Sequence, residues 1–165
     1  MTGARLALAL AAAVFVAGLA GCGGGGGGAD GPRLSQAEYT KRASTECSKL
    51  ERASNDLLRA QAPGATGSKV SDYLTKAGAV LSGLADGLDG LRPPAGIEAD
   101  ADSLGTALAD YGEGLRSLAD NVGSDDTFPA ALNANPRLVR RLNNIAARAA
   151  ALVAKLEIDG CQLAG

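Results

Sequence analysis

The stretch NPRLVRRLNNIAARAAALVAKLEIDG, residues 135–160, decides the fold of this chain. Its large apolar side chains recur every three or four positions, which places them on one face of an α-helix. This apolar stripe consists of Leu138, Leu142, Ile145, Ala149, Leu152 and Leu156. Asparagine caps free amides and proline fits the first helical position, so Asn135-Pro136 predicts the start of the helix. We expect Gly160 to be its C-cap.

Three further segments carry the same helical pattern, and none alternates in the manner of a β-strand. They are expected at about 35–61, 68–92 and 97–122. The first opens with Ser35-Gln36-Ala37-Glu38, a capping box. The one long connection, Gly123 to Ala134, leaves room for an extra helical turn beginning at Asp125 to Pro129. Because short loops make successive helices antiparallel neighbours, we predict an all-α fold, an up-down-up-down four-helix bundle.

Charge supports this arrangement and excludes some partners. The third helix is mainly acidic and the fourth mainly basic, so the two should attract, although exposed ion pairs contribute at most about 1 kcal/mol each. The net charge is −2, or −3 without Arg5, the only charged side chain before residue 22. Neither nucleic acid nor an anionic lipid surface is therefore an expected electrostatic partner.

The first residues predict an export signal. Arg5 precedes an apolar stretch, Leu6 to Leu19, that is shorter than the roughly 20 residues a membrane span needs. It ends in Leu19-Ala20-Gly21-Cys22, which closely resembles the lipobox of bacterial lipoproteins. The resemblance implies cleavage before Cys22 and acylation of the Cys22 sulfur by a diacylglycerol. Two acyl chains hold a protein stably on a membrane. Because the leader also directs export, we expect the protein on the outer face of the cytoplasmic membrane.

The segments after the leader follow from this prediction. Residues 1–21 are the signal peptide, 22–33 the acylated cysteine with a glycine-rich tether, and 34–165 the bundle. Polyglycine behaves as a flexible coil, and Gly23 to Gly28 lacks the strand and the GK[ST] of a phosphate loop.

Two cysteines, Cys47 and Cys161, remain in the exported part. They lack the spacing of a redox or zinc motif, and an oxidising compartment favours one disulfide between them. In the chain-entropy model, the long loop that such a bond closes corresponds to a stabilisation of up to about 4.7 kcal/mol. Since Cys47 lies about three turns inside the first helix, either the chain after Lys155 turns back or the helices are staggered.

Catalytic and metal-binding chemistry is not indicated. The chain has no histidine, so a triad lacks its base, and zinc and copper sites lack their usual ligands. Asp125-Asp126 and the Glu98, Asp100, Asp102 series lack a calcium-binding pattern and are interpreted as solvated caps. We therefore predict no catalytic residue, no metal and no cofactor.

Several other side chains are candidate binding residues. Tyr73 and Tyr111 lie on apolar stripes, where they either pack in the core or line a pocket between helices. We expect Phe128 to be exposed, capping the bundle or touching a partner. Gly83 and Gly87 are spaced as GxxxG and are interpreted as tolerated compositional bias or as a packing notch. Arg137, Arg140 and Arg141 either bind phosphate headgroups or form a solvated basic face, and we favour the solvated face.

Taken together, the lipobox, YTKRASTECSKLERA, LRPPAG and the terminal GCQLAG resemble small helical lipoproteins of high-GC Gram-positive bacteria. The resemblance implies location and fold, and Cys22 is the one functional residue it carries over. The leading hypothesis is a non-enzymatic lipoprotein that binds or supports another envelope protein. The alternative is a carrier or sensor of a small apolar ligand held in the bundle interior, in a cavity near Tyr73 and Tyr111. An enzyme is disfavoured by the missing catalytic residues.

Overall fold

The computed structural model describes residues 32–60 and 64–161. These residues form five helices: α1 (Gln36–Ala60), α2 (Ser68–Asp89), α3 (Glu98–Ala119), α4 (Phe128–Ala134) and α5 (Pro136–Lys155). Within these two ranges there is no strand, and one isolated β-bridge joins Thr66 to Thr127. The all-α prediction is confirmed, and the described helices number five rather than four.

The short helix α4 is the extra element. It develops from the helical turn that the long connection leaves room for, and Thr127 caps it by accepting a hydrogen bond from the Ala130 N–H at 3.4 Å. The connection is tied to the start of α2, where the Gly67 N–H donates to the Asp126 carbonyl at 2.9 Å. Gly67 has a φ of +54°, and a Cβ added there would collide with the Ser124 carbonyl group, so only glycine fits.

Of the two predicted N-caps, Ser35 makes its cap hydrogen bond and Asn135 does not. Ser35 Oγ accepts the Glu38 N–H at 3.3 Å, as the capping box requires. Asn135 precedes Pro136 as expected, but its side chain makes no cap hydrogen bond to α5. Its Nδ2 instead donates to the Ala131 carbonyl at 2.9 Å, because the preceding α4 offers free carbonyl groups at the same place.

The main hydrophobic core joins four helices. It takes buried side chains from α1, α2, α3, α5 and the turn after α5, among them Tyr39, Cys47, Leu84, Leu108 and Ile158. The principal helix–helix contacts are those of α1 with α2, α2 with α3, and α3 with α5. Helices adjacent in the chain, with α4 set aside, are thus packed against each other.

A second core cluster lies nearer the N-terminus of α2. Its buried members are Val70, Leu74, Leu118, Ala119 and Leu142, which come from α2, α3 and α5. Among the described residues, α1 contributes no side chain to this cluster, and residues 51–60 of α1 include no buried side chain. The second half of α1 therefore flanks the core without entering it.

Glycines allow α2 and α3 to touch backbone to backbone. A Cβ added to Gly78 would lie 2.5 Å from the Gly112 carbonyl oxygen, and one added to Gly112 would lie 2.6 Å from that of Gly78. The packing notch is this pair and not Gly83/Gly87. Gly83 has nothing within 4 Å, while the space beside Gly87 is taken by the Glu46 carboxylate.

The chain turns back after α5. The helix ends at Lys155 with Leu156 as its C-cap, so the expectation that Gly160 caps it is wrong. Glu157 adopts a φ of +56°, which turns the chain and buries Ile158 in the main core. The Asp159 N–H then donates to Ser44 Oγ at 3.0 Å. Cys161 thereby reaches Cys47 as a disulfide pair with a Cα–Cα distance of 4.9 Å, by a turn of the chain rather than a stagger of the helices.

The predicted attraction between α3 and α5 takes the form of one described ion pair. Lys155 Nζ lies 2.8 Å from an Asp100 carboxylate oxygen. A second acidic residue of α3, Glu98, pairs instead with Arg33, which precedes α1. Arg137, Arg140 and Arg141 are exposed, which fits a solvated basic face.

Candidate functional site

Tyr73 and Tyr111, the two candidate ligand-binding residues, lie close together in the structure. Both are half-buried and pack against the second core cluster, Tyr73 from α2 and Tyr111 from α3. Burial raises the pKa of the Tyr111 hydroxyl, and the neighbouring Tyr73 raises it further. The two tyrosines thus share one apolar environment.

Phe128 completes an aromatic group with them. It is half-buried rather than exposed, and its ring meets that of Tyr73 edge to face with centroids 6.0 Å apart. The expectation of an exposed Phe128 is wrong because α4 folds it over the second cluster. Among the described residues the exposed large apolar side chain is Leu58, at 56%.

The space beside Tyr73 is a groove between α1 and α2. It has a volume of about 340 Å³, and its apolar lining comes from Leu57, Ala60 and Ala65 together with Tyr73. Lys69, Asp72 and Lys76 complete the lining. None of residues 51–60 of α1 is fully buried, so this half of the helix leaves the groove open beside α2. Tyr111 is not among its lining residues.

The charged side chains of the groove are exposed and lie on α2. Lys69 and Lys76 are seven residues apart, which puts them on one helix face about 10 Å apart along the axis. Tyr73 lies about one turn from each. Neither ammonium group has an ion-pair partner among the described residues.

A smaller groove follows the same two helices toward their middle. It has a volume of about 160 Å³ and is lined mainly by Leu50 and Ala53 of α1 and by Val80, Gly83 and Leu84 of α2. Its two charged residues, Glu46 and Lys49, pair with each other at 2.7 Å. Apolar surface therefore lines the α1–α2 contact over several turns.

Sequence reasoning identified Tyr73 but missed the rest of the groove. Leu57 belongs to the apolar stripe of α1, and stripe residues are expected in the core. The signal available in the sequence was the pair of lysines spaced seven residues apart with Tyr73 between them. The sequence pattern does not reveal that the second half of α1 lies at the edge of the core.

Cys22, the predicted lipidation site, lies outside the described residues. Cys47 and Cys161 form the pair given above. In ranges 32–60 and 64–161, no group of three or more acidic or cysteine side chains is arranged to hold a metal ion. Asp126, one of the aspartates considered for calcium, accepts the Gly123 N–H at 2.8 Å and so closes a turn.

None of the helices in ranges 32–60 and 64–161 is both long and apolar enough to cross a bilayer.

Comparisons with protein-family models, with curated proteins and with solved structures gave no match to this chain.

Proposed function

We propose that this chain is an exported lipoprotein, anchored through Cys22 to the outer face of the cytoplasmic membrane, that acts as a non-enzymatic binding module of the cell envelope. The observation that carries the proposal is the motif Leu19-Ala20-Gly21-Cys22 at the end of a short apolar stretch. Ala20 and Gly21 are the small side chains that a leader-cleaving enzyme requires.

The disulfide pair supports the exported location. Structural disulfides persist in oxidising compartments and are rare in the cytosol of most organisms. Cys47 and Cys161 are 114 residues apart in the sequence, yet their Cα atoms lie 4.9 Å apart. Such a pair stabilises the fold only where it stays oxidised, which agrees with secretion.

For the fold, we propose one up-down-up-down bundle of the four long helices α1, α2, α3 and α5. The contacts between successive long helices support it. So do the links at one end of the molecule, where the Leu34 N–H donates to the Arg92 carbonyl at 3.0 Å and Arg33 pairs with Glu98. These links join the start of α1 to the end of α2 and the start of α3, as antiparallel neighbours require.

The groove supports a binding role, and its size favours a second candidate function. A volume of about 340 Å³ falls at the lower end of the roughly 300–1,000 Å³ typical of small-molecule sites. A carrier or sensor of a small ligand is therefore the alternative to a protein-binding module. Such a ligand would find room beside Tyr73 between α1 and α2, since α2 and α3 are in backbone contact at Gly78 and Gly112.

The proposal is tested by mass spectrometry of the chain extracted from membranes of a Gram-positive host. We expect a mass that lacks residues 1–21 and includes a diacylglyceryl group, and we expect a matched Cys22→Ala variant to lose both changes. An unmodified Cys22 in the membrane fraction would refute the anchor. Native spectra of the same sample distinguish the two binding roles, because a co-purifying small molecule supports the carrier and a bound protein the accessory module.

A further inference from the structure

We propose that the groove between α1 and α2 binds an amphiphilic anion, an apolar chain that ends in a negatively charged group. The inference rests on the proposed binding role and names the chemistry of the ligand. It places the anionic group at Lys69 and Lys76 and the apolar chain against α1.

The apolar part of the site is built from small and aromatic side chains. Ala60 and Ala65 leave width where larger residues would close the groove, and Leu57 and Tyr73 give it walls. A flexible chain gains by covering this surface, because apolar area is removed from water on both partners.

The charged part of the site selects the sign of the ligand. Lys69 and Lys76 line the groove from one face of α2, seven residues apart. Asp72 lies between them on the same helix. The lining thus carries a net charge of +1, from two lysines and one aspartate. Because neither lysine is neutralised by a described ion pair, both are available to an anion, and a cationic ligand would be repelled.

The smaller groove gives the apolar chain its direction. Farther along the same two helices from Leu57 and Tyr73, it is lined by Leu50, Ala53 and Val80. Gly83 adds room there, since nothing lies within 4 Å of the position its Cβ would take. At the far end Glu46 and Lys49 neutralise each other, so no unpaired charge competes for the anionic group.

The test is a titration of the full chain, as the unacylated Cys22→Ala variant, with dodecanoate below its micelle concentration, followed by amide chemical shifts. We expect saturable shifts at residues 57–60 and 69–76. The Lys69→Gln/Lys76→Gln double variant should bind about fivefold more weakly, since two exposed ion pairs are lost. The matched control Lys41→Gln, an exposed lysine of α1 outside both grooves, should bind as the parent does.

Two further probes test the sign and the direction. Dodecyltrimethylammonium should bind at least fivefold more weakly than dodecanoate. Gly83→Leu, which fills the smaller groove, should reduce the preference for dodecanoate over the shorter octanoate. Thermal melts test whether all variants are folded. We expect them to be, because the substituted positions are exposed.

The proposal is overturned if dodecanoate causes no saturable shifts, if the shifts lie away from the groove, or if the cationic probe binds as well. None of these results bears on Cys22, so acylation measured on the membrane-extracted chain distinguishes a wrong ligand from a wrong anchor.

Discussion

The contact between Gly78 and Gly112 predicts opposite effects for chemically identical substitutions in one helix. Gly83→Ala replaces glycine at an exposed position of α2 where no atom lies within 4 Å. Alanine is favoured over glycine inside a helix by up to about 1 kcal/mol, so this variant should be more stable than the parent. Gly78→Ala gains the same helical preference but meets the Gly112 carbonyl oxygen at 2.5 Å.

The cost of that clash decides the sign. Side-chain Cβ atoms essentially never approach another atom within 3.0 Å, and the atom in the way belongs to the backbone of α3 rather than to a flexible side chain. Overpacking of this kind costs about 1–3 kcal/mol. Gly78→Ala should therefore lie about 1–3 kcal/mol below Gly83→Ala in free energy of unfolding.

Urea unfolding followed by circular dichroism at 222 nm measures the difference. In thermal melts it corresponds to roughly 4 °C for each kcal/mol. Gly112→Ala should act like Gly78→Ala, and the double variant should cost less than the sum, because the first substitution already separates the helices. If Gly78→Ala is as stable as Gly83→Ala, α2 and α3 are not in backbone contact and the reasoning fails.

Three other perturbations give distinct outcomes. Replacing Cys47 and Cys161 together by alanine should lower the free energy of unfolding by about 2–5 kcal/mol, measured by urea unfolding, and an unchanged midpoint would contradict a stabilising disulfide. Glu98 accepts its own backbone N–H and hydrogen bonds from Arg33 and Gly96, which hold its pKa below the ordinary value. Its contribution to stability is therefore present above pH about 4.3 and is lost as the pH falls through the folded pKa. Arg33→Ala should raise the pKa of Glu98 in a carboxyl NMR titration, and an unmoved pKa would exclude the pairing. Leu58→Gln should change stability by no more than about 0.5 kcal/mol in thermal melts, because Leu58 is 56% exposed, and a larger loss would mean that the second half of α1 is buried.

Much of the fold is predictable from apolar periodicity. The stripes of α2, α3 and α5 locate these helices to within a few residues, and the capping box at Ser35 fixes the start of α1. These signals are local, because side-chain spacing and caps act within one helix. The extra helix α4 follows from a local signal as well, the cap at Thr127.

The predictions that were wrong, and the features that the sequence did not reveal, depend on how the helices pack against each other. A glycine in a helix costs stability wherever it lies, and only the tertiary structure distinguishes Gly78, which touches α3, from Gly83, which faces open space. In the same way, a leucine on a stripe is expected in the core. Leu57 lines a groove instead because its half of the helix lies outside the second core cluster.

The division of α1 into a buried and an unburied half has an evolutionary consequence. Its first half, with Tyr39, Ala43, Cys47 and Leu50, holds the core and the disulfide, so changes there are constrained by folding. Residues 51–60 include no fully buried side chain, so changes at their exposed positions cost little folding free energy while they reshape one wall of the groove. Selection is therefore free to alter the lining of the groove without rebuilding the scaffold that carries it.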